Sequence, residues 1–128
     1  MSQPIGPYSP VRRVGDWVIT SGQIGLARAT DGVTALVGGG TVPELHRALA
    51  NVTAVLGTEG ATLRDVVKTT LYLIDMSEFG AVNEVWVEYF SEDRPTRSAV
   101  AVAALPMGAR VEVEAWAYAP LPPPPPGR

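Results

Sequence analysis

Residues Arg110–Tyr118, RVEVEAWAY, alternate without a break. Strand side chains point to opposite faces in turn, so Val111, Val113, Ala115 and Ala117 share one face. Arg110, Glu112, Glu114, Trp116 and Tyr118 share the other. One face suits an apolar core, while the other carries two carboxylates in line with two large aromatics, an unusual choice for a merely solvated strand. Upstream, Pro95 restrains the entry to a second short strand that starts at Arg97 and continues in small and β-branched residues. The stretch Arg94–Tyr118 therefore reads as two strands joined by a tight connection, and as the expected seat of function.

The rest of the chain supplies partners for these strands. Residues 1–10 hold three prolines and Gly6 and read as extended loop, with Tyr8 the large side chain of its second half. Asp16–Gln23 reads as a strand, because Trp17, Val18, Ile19 and Thr20 all favour a pleated surface. It ends in Ser21-Gly22-Gln23, which reads first as a strand end with a turn; the second reading is backbone N–H groups offered to a ligand where the glycine permits close approach. Residues 27–40, with Asp31-Gly32 and Gly38-Gly39-Gly40, read as mobile surface loop. The glycine run lacks the Gly-Lys-Ser/Thr of a phosphate loop.

Thr41–Leu56 reads as a helix. Thr41 and Glu44 have capping-box spacing, Pro43 sits in the first turn, and Leu45, Leu49, Val52 and Leu56 form the apolar face. Gly57 or Gly60 ends it. His46 lies off that face and reads as a surface histidine. Thr62–Asp65 is a turn into a strand from Val66 to Ile74, with Lys68, Thr70 and Tyr72 opposite Val67, Thr69, Leu71 and Leu73. Ser77 is placed to cap a second helix running to about Phe90, with Phe79, Val82, Val85, Trp86 and Tyr89 as its stripe and Asn83 as a polar position within it. Strand, helix, strand, helix, strand, strand gives an α+β sandwich of two layers: a mixed sheet with both helices on one face. Nothing remains to cover the other face, so a symmetric homo-oligomer is expected.

Composition narrows the chemistry. The chain has 128 residues, 46% of them hydrophobic, enough for one globular domain. That domain spans residues 1–120, and the proline-rich tail 121–128 is expected to be disordered. A net charge of −3 gives no sign of a nucleic-acid or membrane surface. Without cysteine there is no thiolate nucleophile, disulfide or cysteine-bound metal, and a single histidine excludes a multi-histidine site. No apolar run reaches membrane-spanning length and the first ten residues lack signal-peptide character, so a cytoplasmic protein is expected.

Five stretches in order, IGPYSP, VITSGQI, LANVTAVLGTEGATLRDVVKTTLYLIDM, FGAVNEVWVEYF and RPTRSAVAVAALPMGARVEVEAWA, resemble the reactive-intermediate deaminase (RidA, YjgF-like) family over about residues 5–119. The resemblance implies a chorismate-mutase-like fold, a homotrimer with its sheets around a central barrel, and ligand pockets between subunits. It implies hydrolysis of reactive enamine/imine compounds, of the 2-aminoacrylate type, to a 2-keto acid and ammonia, with no metal or organic cofactor. Carried over by position, Arg97 of the R-x-x-R-S segment holds the substrate carboxylate and Glu112 orients the attacking water. Tyr8, Ser21, Gly22 and Asn83 match further pocket positions. Ala99 stands where well-known members often have cysteine, leaving its backbone N–H for the carboxylate.

Chemistry agrees with these roles. A guanidinium grips a carboxylate through two parallel hydrogen bonds, and Glu112 can serve as general base. Other readings of the same residues remain: Arg97 and Glu112 as interface salt-bridge partners, a non-catalytic carboxylate-binding or regulatory trimer, or a deaminase with a larger, aminomuconate-type substrate. The ribonuclease role described for some relatives sits badly with the acidic balance and the single lysine. One geometric difficulty follows. If residues 97–104 and 110–117 form a simple hairpin, Arg97 and Glu112 lie about five residues apart, on the order of 16 Å. Either the two strands are not neighbours in that register, or the pocket takes Arg97 and Glu112 from different subunits; the second is the working expectation.

Overall fold

The computed structural model describes residues 4–123 and 126–127. Among these residues seven strands and two α-helices follow in the order β1 (Val11–Val14), β2 (Trp17–Thr20), β3 (Leu26–Arg28), β4 (Thr34–Leu36), α1 (Thr41–Gly57), β5 (Val66–Leu73), α2 (Phe79–Tyr89), β6 (Thr96–Ala101) and β7 (Val111–Tyr118). Five strands form one mixed sheet in the order β1-β2-β7-β5-β6, with β5 and β6 parallel through the α2 crossover and the other pairs antiparallel. The expected α+β architecture with two helices is present. The tail expected at 121–128 lies partly outside the described residues.

β7 sits in the middle of the sheet and obeys its alternation. Val111, Val113, Ala115 and Ala117 are buried under the helices, while Glu112, Glu114, Trp116 and Tyr118 face away. The core gathers Leu45, Leu49, Val52 and Leu56 of α1, Val82, Val85 and Trp86 of α2, and Val18, Leu71 and Leu73 of the sheet into one cluster. On the far face Trp17 packs edge-on against Trp116 and Tyr118, and the Lys68 ammonium lies 5.2 Å from the Trp116 ring centre. Trp17, Trp116 and Tyr118 remain 38–47% exposed, and among the described residues no helix packs over them.

Several local expectations are corrected. The last two strands are not a tight hairpin: β5 lies between β6 and β7, and residues 102–110 cross over it. β1 falls where the sequence shows no strand; its four residues, VRRV, carry no long apolar signal. It is fixed by the two-residue turn Gly15–Asp16, with Gly15 at φ +59°, and by Arg13, whose guanidinium donates to the carbonyls of Glu59, Gly15 and Ala119. Residues 27–40, expected as loop, hold the small β3–β4 hairpin. A bulge between Val66 and Lys68 turns Val67 out of the core.

Neither helix cap is as expected. Gly40 precedes α1 without a side-chain cap. Thr41 and Glu44 instead turn to Arg110: the Arg110 backbone N–H donates to Glu44 Oε1 (2.8 Å) and its Nε donates to Thr41 Oγ1 (3.0 Å). Tertiary partners have taken the groups that a capping box would use. Before α2 a 3₁₀ turn, Met76–Glu78, is capped by Asp75, which accepts from the Ser77 N–H; Ser77 is not the cap. His46 is half-buried, its Nδ1 2.8 Å from the Tyr89 hydroxyl, and so links the helices where a free surface position was expected.

The join between β2 and β7 departs from a regular ladder. Ile19 pairs with Trp116 and Gln23 with Val113, so four steps on one strand match three on the other. The extra residue is a bulge at the end of β2, which interrupts the hydrogen bonding. The buried Ala115 N–H, left without a ladder partner, donates instead to Thr20 Oγ1 at 3.1 Å. Thr20→Val removes that acceptor at nearly constant volume. It should cost about 1–3 kcal/mol in urea-induced unfolding, whereas Thr20→Ser, which keeps the hydroxyl, should recover most of it.

Candidate active site

The bulge carries Ser21-Gly22-Gln23 across β7. Two backbone bonds, Gln23 N–H to Val113 O (2.8 Å) and Val113 N–H to Gln23 O (3.0 Å), clamp the segment. On its other side the Ser21 N–H donates to Pro10 O and the Ser21 hydroxyl to Ser9 O, tying in the N-terminal loop. Asn51 of α1 donates to the carbonyls of Ile24 and Leu26 and holds the next residues in place. A cleft of about 420 Å³ opens between these pieces, lined by Pro4, Ile5, Tyr8, Pro10, Ser21, Gly22, Gln23, Ile24, Leu26, Asn51, Pro106, Glu112 and Glu114.

Glu112 is the distinctive group. Burial, then the nearby Glu114, raises its pKa above the ordinary glutamate value. Its carboxylate lies against Gly22 so closely that a Cβ there would meet Oε2 at 2.1 Å and Cδ at 2.6 Å. Glycine at position 22 is thus a spatial requirement of the Glu112 conformation. Glu114 accepts a hydrogen bond from the Tyr72 hydroxyl at 2.9 Å. Among the described residues no group of three or more His, Cys, Asp or Glu side chains is placed to hold a metal ion.

Arg97 is elsewhere. Thr69 pairs with both Arg97 and Ala115, so Arg97 shares the helix-side face with Ala115, opposite to Glu112. Its guanidinium lies 5.2 Å from the Phe79 ring centre and 5.0 Å from that of Trp86, and donates from Nη2 to Asn83 Oδ1 at 2.8 Å. Partial burial lowers its pKa from the usual arginine value. Aromatic faces and one amide orient the fork while no carboxylate of its own chain neutralises it in a salt bridge, among the described residues. Ala99, two residues on, faces the same side beside the core.

The residues singled out from sequence therefore fall into two groups. Tyr8, Ser21, Gly22 and Glu112 share the cleft; Arg97, Asn83 and Ala99 share the outer strand of the sheet and the helix beside it. One chain does not bring Arg97 and Glu112 into a single cavity. Gln23, Ile24, Asn51, Pro106 and Glu114 also line the cleft. Gln23 belongs to the noted Ser21-Gly22-Gln23 turn and Glu114 to the outer face of the alternating strand, so both positions are legible in the sequence; Ile24, Asn51 and Pro106 reach the cleft by tertiary packing, which leaves no local signal.

Residues 1–119 match the family model described as Endoribonuclease L-PSP. Over 107 residues the chain is 46% identical to a Mus musculus protein named 2-iminobutanoate/2-iminopropanoate deaminase, covering 84% of this chain and 77% of that one. It is 42% identical over 104 residues to a RutC family protein of Pyrococcus abyssi, covering 81% and 80%. The solved structure of RidA from the Antarctic bacterium Psychrobacter sp. superposes with a TM-score of 0.83 at 38% identity, covering 91% of each chain.

Gly22→Ala tests the contact between Gly22 and Glu112. The displaced group is the mobile end of a side chain, so the melting temperature should shift by only a few degrees, while turnover that uses Glu112 falls on the order of 10²-fold.

Proposed function

The chain belongs to the endoribonuclease L-PSP family of RidA/YjgF-like proteins, and from that premise we propose that it is a hydrolytic deaminase of reactive 2-imino acids acting in the cytoplasm. The observation that carries the reading is the half-buried Glu112 carboxylate, held over Gly22 in an open cleft with its proton affinity raised. A base of raised pKa is suited to taking a proton from water near neutral pH. Relatives 42–46% identical that carry the name 2-iminobutanoate/2-iminopropanoate deaminase support the same reaction.

The reaction needs little from the protein. Water adds to C2 of the protonated imine as its proton passes to Glu112. That proton moves to the nitrogen, the C2–N bond breaks, and the hydroxyl proton is released as the carbonyl forms, giving a 2-keto acid and ammonium. Arg97 fixes the substrate carboxylate through its planar fork, with the Ala99 N–H beside it and Asn83 setting the guanidinium angle. Tyr8, Ser21 and Gly22 form the wall on the Glu112 side. Neither a metal nor an organic cofactor enters these steps.

Arg97 and Glu112 lie on opposite faces of one sheet, so we place each active site between subunits: Arg97, Asn83 and Ala99 from one copy, the cleft from its neighbour. A homotrimer with the aromatic sheet faces turned inward to a barrel satisfies both this need and the exposure of Trp17, Trp116 and Tyr118. RNA is the weaker substrate reading, since Glu112 and Glu114 line the cleft and would repel a phosphodiester.

Arg97→Ala and Glu112→Gln should each lose most turnover in an assay of freshly generated 2-imino acids. Glu112→Gln should retain binding of a 2-keto acid, which separates catalysis from binding alone. When the two variants are unfolded together in equal amounts and refolded, half the arginine donors meet half the glutamate donors intact. Activity should then return to about a quarter of wild type. A mixture as inactive as its parents would place the whole site within one chain.

A further inference from the structure

Tyr72 and Glu114 have no part in the reaction as proposed, yet both are built around Glu112. Tyr72 on β5 is the register partner of Glu112 on β7, and Thr70 is that of Glu114. Directly opposed strand residues bring their side chains together, and diagonal neighbours stay within reach of a long one. The Tyr72 ring thus stands beside Glu112, and its hydroxyl reaches diagonally to Glu114 Oε1 at 2.9 Å. Glu112 and Glu114 are two residues apart on one face, about 7 Å along the strand, and both line the cleft.

We infer that Glu112, Glu114 and Tyr72 form one proton-handling unit, in which Glu112 meets the substrate while Glu114, held by Tyr72, is its positioning residue. The inference rests on the deaminase reading. Hydrolysis of an imine asks one group to take a proton from water and then return a proton to the leaving nitrogen. An ordinary carboxylate is too weak a base to hold the proton between the two steps. A second negative charge at fixed distance strengthens that hold. Tyr72 fixes the distance by tethering Glu114, and the same bond raises the Tyr72 pKa, so the tyrosine keeps its proton as donor.

The surroundings leave Glu114 as the charge that acts. Among the described residues, Lys68 on β5 is turned over Trp116, and Arg110 on the loop before β7 is occupied by Glu78 and Thr41. Glu44 of α1 accepts the Arg110 backbone N–H. Arg12 of β1 lines the neighbouring hollow with Ser9 and Ser21, and Arg97 faces the opposite side of the sheet. Tyr8, from the N-terminal segment, shares the cleft.

The test is a pH titration of the Glu112 side-chain carboxyl by ¹³C NMR, assigned with Glu112→Gln, in wild type, Glu114→Gln and Tyr72→Phe. Glu114→Gln should lower the Glu112 midpoint by on the order of half to one pH unit, and Tyr72→Phe should lower it by less. Glu112 must be ionised to accept the water proton, so the acid limb of kcat/KM should move to lower pH by the same amounts. Packing alone would change stability or rate without moving either midpoint. The two variants stand in for each other if one fails to fold. An unmoved Glu112 midpoint in an active enzyme overturns the unit and leaves the deaminase reading intact. A moved midpoint in a protein without turnover supports the unit and overturns the reaction.

Discussion

The alternation of β7 is the constraint on which the rest of the molecule depends. As the central strand, β7 pairs with β2 on one side and β5 on the other. Its inward residues, Val111, Val113, Ala115 and Ala117, are among the most deeply buried in the chain. Because a strand has a period of two, placing them in the core obliges Glu112, Glu114, Trp116 and Tyr118 to face outward. The apolar half anchors the carboxylates: Glu112 cannot leave its face without lifting two valines out of the core. A group that must be held at a defined place is thus attached to the most firmly held element.

The same geometry separates the functional groups. Arg97 belongs to the helix-side set of β6 and Glu112 to the outer set of β7, with β5 between them. A sheet is a barrier about one backbone thick, and no rotamer change carries Arg97 through it. On the proposed reaction, a small substrate that needs both groups would meet them from different copies. The outer face offers an interface for such an assembly: an edge-stacked aromatic cluster and the apolar stem of Lys68 beside it. On the proposed reading catalysis and oligomerisation are one requirement.

What could be read from the sequence follows from the range over which each signal acts. The β7 alternation, the apolar stripes of α1 and α2, and the turn at Thr62–Asp65 are local patterns, and each appears where expected. Strand order is not local. β6 and β7 follow one another in the chain, but the β5-α2-β6 crossover sets β6 outside β5, so the two cannot pair as a hairpin. The α1 cap differs for the opposite reason. Thr41 and Glu44 carry a proper local signal, and Arg110, 66 residues beyond Glu44, captures both side chains. At the site, Glu112 and Gly22 are each legible as candidates, but the contact between them depends on the bulge after Thr20, which no spacing along the chain reveals.

Charge distribution bears on which chemistry such a cleft can support. Two carboxylates at its wall and no cation turned toward them, among the described residues, disfavour an anionic group bound beside Glu112, and burial adds to the cost. In the proposed reaction the anionic end of a 2-imino acid belongs at the Arg97 side, where the guanidinium lies over Phe79 and Trp86. The cationic iminium end then points toward Glu112, where the two negative charges favour it. The polarity of the proposed inter-subunit site matches the polarity of the proposed substrate. A phosphodiester, negative at its reacting centre, would have to place that centre against the carboxylates. One fold can carry the endoribonuclease family name and still present a cleft whose two carboxylates favour the proposed zwitterion over RNA.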